Sequence, residues 1–378
     1  MGKEKISPFQ FGTLATRENF IDREKDRAQL KQLLLSHINV MLLSPRRWGK
    51  SSLVKMTTEE LCAEHDEVRV CLIDAFSIAS EAEFYRAFAS KVIACASTRM
   101  ERWVSDAKEF LTGVVPQVVV SDQVNDFIAF DMKYVPREQD KMTILQLPET
   151  LARKKGLHII VCIDEFQQLA ALLEYKSMIG KMRAAWQEQK HVTYCLYGSK
   201  RNMMLRIFCN ARSPFYRFGQ VIFMKKIAKK DWVEFIVRAF EGTGKHISAE
   251  LAGRICDTVE CHSWYVQQLC YFIWSITENE VNEELFAQGV EQVVNINTPM
   301  FQSDTEKLTA AQKEMLRAVS KGEKRLSAAA AKRRYSLGNP NTIARNKRLL
   351  AERGILELID GTLTFVDPVY QLWVKGNG

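Results

Sequence analysis

Short apolar runs alternate with amphipathic stretches along the first 225 residues. The runs are Ile38-Asn39-Val40-Met41-Leu42-Leu43, Val68-Arg69-Val70-Cys71-Leu72-Ile73-Asp74, His158-Ile159-Ile160-Val161-Cys162-Ile163-Asp164-Glu165, Val192-Thr193-Tyr194-Cys195-Leu196-Tyr197 and Gln220-Val221-Ile222-Phe223-Met224. Several neighbouring apolar positions in so short a run predict strands covered on both faces, as in a parallel sheet. Helical spacing fills the gaps, over 17–35 (with Leu30, Leu33 and Leu34), 51–61, 81–96, 144–154 and 178–188. This βαβ alternation predicts an α/β fold, a parallel sheet flanked by helices. Residues 114–134 break it. Val118-Val119-Val120 and Phe127-Ile128-Ala129-Phe130 around polar residues predict a β-hairpin insertion.

From 229 to about 297 the spacing is helical throughout, with Phe235, Ala239 and Phe240, then Val266, Leu269, Phe272 and Ile273. This predicts a small all-α domain. Beyond it, Leu308-Thr309 with Gln312 opens a helix carrying Met315, Leu316 and Val319. Further helices are expected over 327–335 and 341–353. Ile355 to Ile359 and Thr362 to Val366 then flank Asp360-Gly361, and Asp-Gly between two strands is a strong hairpin signal. Three helices followed by a hairpin predict a winged helix-turn-helix. The expected domains are therefore 1–228, 229–303 and 304–378.

Composition adds limits. A chain of 378 residues, 47% hydrophobic and 26% charged, fits a globular protein of two or three domains. No apolar run approaches the roughly 18 residues of a membrane span. The start, Met1-Gly2-Lys3-Glu4-Lys5, has no signal-like apolar stretch, and Ile6 stands where myristoylation needs Ser or Thr. A cytoplasmic protein with no membrane partner is expected. The nine cysteines are scattered, and none form a C-x-x-C pair. They read as reduced core residues, with neither a disulfide framework nor a zinc site. Net charge is +8, and from Asp304 onward fourteen basic residues face eight acids. The basic excess sits in the C-terminal fifth.

Candidate chemistry begins after the first run, at Ser44-Pro45-Arg46-Arg47-Trp48-Gly49-Lys50-Ser51-Ser52-Leu53. A strand, a loop with Gly-Lys-Ser and a helix make a phosphate-binding loop. The helix start offers free backbone N–H groups and a positive dipole end. Gly49 lets backbone approach phosphate, Lys50 reaches the β and γ phosphates, and the Ser51 hydroxyl binds Mg²⁺. The strict pattern asks for glycine at Ser44. Serine is small, and Pro45 fixes the next φ, so the segment reads as a working variant. The alternative is a chance Gly-Lys-Ser in a surface turn. Asp164 and Glu165 end the third run, where one acid holds Mg²⁺ and its neighbour polarises the attacking water. The alternative there is a pair of solvated acids. Of Arg46 and Arg47, one is expected to make a bidentate phosphate contact, the other to face a partner domain or solvent. No Asn-Lys-x-Asp guanine motif occurs, which points to ATP.

These pieces together resemble the archaeal-type ATPase family of P-loop proteins, within the AAA+ and STAND branches. The resemblance spans nearly the whole chain. It rests on Phe20-Ile21-Asp22-Arg23-Glu24, the 44–53 loop, Ile163-Asp164-Glu165-Phe166-Gln167, Tyr197-Gly198-Ser199 and Phe365-Val366-Asp367-Pro368. It implies an ATP-hydrolysing domain with Mg²⁺, a helical lid and a C-terminal winged helix that the lid repositions. It implies a γ-phosphate or water sensor at Ser199, where a helix-capping serine is the alternative. It implies a transition-state arginine at Arg217, where a surface arginine is the alternative. His262 would touch phosphate from the lid; Cys261 and Ser263 depart from the family pattern there, and a histidine packed between helices is the alternative. Ile21 and Arg23 would lie near adenine.

On the expected winged helix, Arg345, Lys347 and Arg348, with Lys332-Arg333-Arg334, make a candidate surface for double-stranded DNA. A protein-docking element, self-association, or an ordinary solvated face is the alternative. A second function class also stays open, a nucleic-acid-binding regulator in which ATP is a structural or signalling ligand with little turnover.

Overall fold

The computed structural model describes residues 6–13, 21, 23–97, 136–359 and 361–377. They form two compact units, one of the described residues within 23–46 and 50–225, the other of those within 1–22, 47–49 and 226–378.

The first unit is built on five strands: β1 (Val40–Leu43), β2 (Val68–Asp74), β3 (His158–Asp164), β4 (Val192–Gly198) and β5 (Gln220–Phe223). All pair parallel, in the order β2-β3-β4-β1-β5. β1 and β4 are buried along their whole length, and β3 up to Asp164. That is the covering the continuous apolar runs call for. Side chains alternate in direction along each strand. Met41, Leu43, Ile159, Val161, Ile163, Tyr194 and Leu196 join one apolar cluster with residues of α3 (Glu81–Ala96), α4 (Glu138–Lys155) and α5 (Tyr175–Trp186). Its aromatic centre stacks Trp186 on Tyr194 at 4.1 Å and sets Phe215 edge-on to Phe218 at 4.8 Å. Each such side chain contributes about 1.5–3 kcal/mol on burial. α1 (Glu24–Leu35) and α2 (Lys50–Glu64) pack on each other, with α1 also against β1 and β4 and α2 against β2.

Local chemistry sets the helix limits. Ser80 caps α3 by accepting from the Glu83 N–H at 3.2 Å. Gly156 ends α4 in the left-handed region, φ 63°. α1 begins at Glu24, later than the expected 17; residues 14–20 and 22 lie outside the described residues, as does the hairpin expected over 114–134. A further helix, α6 (Arg201–Phe208), follows β4, the helix that the capping alternative for Ser199 required, although its bounds were not part of the expected pattern.

The second unit is mostly helical: α7 (Lys229–Glu241), α8 (Ala249–Thr258), α9 (Ser263–Ile276), α10 (Glu283–Glu306), α11 (Ala310–Ser320), α12 (Ala329–Arg334) and α13 (Pro340–Glu352). A two-stranded antiparallel sheet follows, β6 (Leu356–Ile359) and β7 (Thr362–Phe365), with Leu356 opposite Phe365. Asp360 of its turn lies outside the described residues. One apolar cluster runs through the unit, from Phe9 and Trp232 through Leu269 and Ile273 to Met315, Ile343, Leu350 and Val369. An isolated bridge between His246 and Glu280 interrupts the helices, against the expectation of none. A helix also follows the hairpin, α14 (Pro368–Gly376). Asp367 caps it, its Oδ1 accepting from the N–H groups of Val369 at 2.9 Å and Tyr370 at 3.0 Å. Pro368 occupies the first helical turn, where its missing N–H costs nothing. Tyr370 stacks on Phe301 of α10 at 4.9 Å.

Among the described residues no helix is long and apolar enough to cross a membrane. The cysteines are free thiols, but only some fit the expected core role: Cys62 and Cys209 are exposed.

Candidate active site

β4 lies between β1 and β3, so the loops after β1 and β3 open at one edge of the sheet on either side of Gly198-Ser199. Ligands of parallel α/β folds collect at such an edge. β1 delivers the segment from Ser44 onward, and α2 starts at Lys50. The left-handed positions here are Arg47, φ 63°, and Gly49, φ 86°. Ser44 is not among them, so it needs no glycine-like freedom. It is buried, and its hydroxyl donates to the Pro45 carbonyl at 3.0 Å.

Lys50 is buried, and its ammonium donates to the carbonyls of Pro45 at 3.2 Å and Ser44 at 3.4 Å. Burial holds its pKa below the ordinary lysine value, against the opposing charges of Glu165 and Asp164 and aided by Arg46. The Ser51 hydroxyl donates to Asp164 Oδ2 at 2.6 Å. The hydroxyl of the loop and the acid of β3, 113 positions apart in sequence, therefore share one small space. Burial pushes the Asp164 carboxyl above its ordinary value, opposed by the Ser51 bond and by the Glu165 N–H, which donates to Oδ1 at 2.7 Å. Asp74, at the end of β2, stands in register with Asp164.

Glu165 turns out of β3 in the left-handed region, φ 49°. Its Oε2 accepts from the Ser199 hydroxyl at 2.8 Å and from the Gln167 amide. Gln167 is fully buried and lies over Gly198, where a Cβ would stand 1.8 Å from Gln167 Oε1. Gly198 is thus required by close approach. Sequence reasoning quoted Gln167 inside a motif without a role; only the fold brings it to Glu165.

The other candidates are placed as follows. Arg46 is exposed, and Ser52 is buried in α2. Arg23 is buried and donates to Asp26 Oδ2 at 2.9 Å and to the Lys225 carbonyl at 3.0 Å. Arg217 is exposed before β5, its guanidinium over the ring of neighbouring Tyr216 at 5.2 Å. In the second unit, Ile21 joins the core, the Lys226 ammonium lies 5.7 Å from the Trp48 ring centre, and the Arg47 guanidinium lies 4.4 Å from that of Trp264. His262 is buried before α9 and tilts against Tyr265 at 5.0 Å. On α13, Arg345 and Arg348 are exposed and Lys347 half-buried, while Ile343, Asn346 and Leu350 point inward.

Residues 20–269 match the profile of a family described as an ATPase domain predominantly from Archaea. The chain belongs to that family. It is a P-loop protein of the archaeal ATPase type, as the sheet order and the 44–51 loop before α2 indicate. Among solved structures it is similar to the Walker-type ATPase PabY2304 of Pyrococcus abyssi, at 17% identity over 99% of each chain, with a TM-score of 0.69. It is also similar to the ORC2 protein of Aeropyrum pernix in its ADPNP–ADP complexes, at 15% identity over 98% of each chain, with a TM-score of 0.57. At these identities the likeness is one of fold. No curated protein sequence matches the chain.

Proposed function

We propose that this archaeal-type ATPase domain binds ATP with Mg²⁺ at the 44–51 loop and hydrolyses it. The observation that carries the reading is the Ser51–Asp164 hydrogen bond at 2.6 Å beside buried Lys50. The donor set suits the ion. Mg²⁺ takes hard oxygen ligands and keeps several waters and phosphate oxygens. Ser51 Oγ and Asp164 Oδ2 are such oxygens and would hold the ion. Bound there, the ion would draw charge from the β and γ phosphates.

The chain's own groups do the rest. Lys50 exchanges the Ser44 and Pro45 carbonyls for phosphate oxygens, which regain it a full charge partner. The first-turn N–H groups of α2 face the same anion. Glu165 accepts the proton of the attacking water, and Ser199 and Gln167 fix its Oε2. Ile21, Arg23, Arg46, Trp48, Gly49, Ser52 and His262 remain candidate nucleotide contacts. Arg217 remains the candidate transition-state arginine. We read α7–α10 as a lid and the segment from α11 to the hairpin as a winged helix that turnover repositions. Hydrolysis is tested by comparing the parent with Glu165→Gln in the presence of Mg²⁺. Turnover lost in the variant with ATP binding kept supports the reading; equal turnover removes Glu165 from it.

The exposed Arg345 and Arg348 on α13 favour a second reading, a nucleic-acid-binding regulator in which ATP is a ligand with little turnover. It predicts salt-sensitive duplex DNA binding, weakened by Arg345→Ala with Arg348→Ala. Absence of any salt-dependent binding counts against it. Measuring ATP hydrolysis with and without duplex DNA separates the two readings.

A further inference from the structure

Arg47 holds a backbone conformation, φ 63°, that residues with a Cβ avoid. Such a conformation persists where surrounding groups over-determine it. Three groups surround Arg47 within the second unit. Its guanidinium lies over the Trp264 ring, 4.4 Å from the ring centre. It also stands near enough to the Tyr265 hydroxyl and the Asp367 carboxylate to hold the pKa of each down, against the burial that raises both. Tyr265 in turn donates to Asp367 Oδ2 at 2.5 Å. A residue of the phosphate loop is thereby tied to the first turn of α9 and to the cap of α14.

The tie is built to be released. Asp367 has three hydrogen bonds without Arg47: two from the N–H groups of Val369 and Tyr370, and one from Tyr265. Withdrawing the Arg47 guanidinium therefore leaves the half-buried carboxylate satisfied. A triphosphate offers the guanidinium more charge and bidentate geometry than a carboxylate already in use.

We propose that Tyr265 and Asp367 are positioning residues for Arg47, competing with nucleotide phosphates for its guanidinium, so that nucleotide affinity is set in part from the start of α14. This deepens the nucleotide reading of the loop and rests on it. Arg47 is exposed, so the effect is of the size of an exposed charge pair.

The test is calorimetric ATP binding to the full chain, with tryptophan emission followed in parallel. Asp367→Asn removes the charge and keeps a residue that caps a helix well. It is expected to bind ATP about two- to fivefold tighter than the parent, and Tyr265→Phe to shift the same way. In an Arg47→Ala background neither change has an effect, which a merely structural role for Asp367 would not produce. In a Trp48→Phe background, which removes the tryptophan of the loop itself, ATP is expected to change tryptophan emission, and adding Trp264→Phe to lose that change while still binding ATP. Parent-like affinity in a folded Asp367→Asn or Tyr265→Phe overturns the proposal and leaves the nucleotide reading standing. So does an emission change that, in the Trp48→Phe background, survives Trp264→Phe. A parent that binds no ATP overturns both.

Discussion

The Ser199 hydroxyl donates to Glu165 Oε2 at 2.8 Å, joining the ends of two adjacent strands. Glu165 has left β3 in a left-handed conformation, and Gln167 reaches the same oxygen from two residues further on. Both bonds fall on Oε2; in the proposed reaction Oε1 is then the oxygen that takes the proton of water.

Removing one anchor should loosen the base without emptying the site. In Ser199→Ala, kcat is expected to fall about tenfold with KM for ATP nearly unchanged. Glu165→Gln should cost about a hundredfold or more, the range of a positioned general base. Steady-state hydrolysis on both variants checks the ranking. A Ser199→Ala enzyme slower than Glu165→Gln would reverse the assigned roles.

Gly198→Ala places a methyl 1.8 Å from Gln167 Oε1 and 3.1 Å from Met204 Sδ. Overpacking of this kind costs about 1–3 kcal/mol. Gln167→Ala in the same chain should recover most of that stability by opening the space, yet leave hydrolysis low because Glu165 has lost a partner. Denaturant unfolding and turnover measured together should therefore part company. If both recover together, Gln167 has no part in holding Glu165.

His158, at the start of β3, is buried against His37, with ring centres 3.9 Å apart, and its Nε2 meets the Thr193 hydroxyl at 2.8 Å. Burial, with the neighbouring His37, lowers its pKa to about 4; Glu67 opposes this. The unfolded chain takes up that proton near pH 6.5, the folded chain only near 4. Stability from neutral His158 is thus complete above about pH 6.5 and is lost as pH falls from there to 4. The loss is on the order of 2 kcal/mol. His158→Gln should remove this slope, so the stability gap between parent and variant narrows toward pH 4. A gap that is constant across that window would show that His158 does not titrate there.

The sheet was legible because its strands are covered on both faces and so read as unbroken apolar runs. Helix limits were less so. α14 is nine residues long behind Pro368, and its apolar side shows only once Phe301 of α10 is known to lie against Tyr370. α6 is shorter still and owes its buried face, Met204, Ile207 and Phe208, to the core beneath it. In the site, Lys50, Ser51, Asp164 and Glu165 stood out because phosphate and metal chemistry needs those types at that spacing. Ser199 entered by resemblance, and its contact with Glu165 depends on strand order. Gln167 and the Arg47–Tyr265–Asp367 set are matters of three-dimensional approach. Asp367 lies 320 positions from Arg47, and no periodicity encodes such a pair.

Equilibrium binding of ATP with Mg²⁺ to the parent and to Lys50→Ala tests the central claim most directly. Lys50 Nζ is the one ammonium the loop brings beside Ser51 and Asp164 among the described residues, held by the Ser44 and Pro45 carbonyls. The parent should saturate with one ATP per chain, and Lys50→Ala should bind about ten- to a hundredfold more weakly, the worth of charged hydrogen bonds to phosphate. Equal affinity in the two proteins, both folded by thermal unfolding, would contradict the assignment of this loop to phosphate.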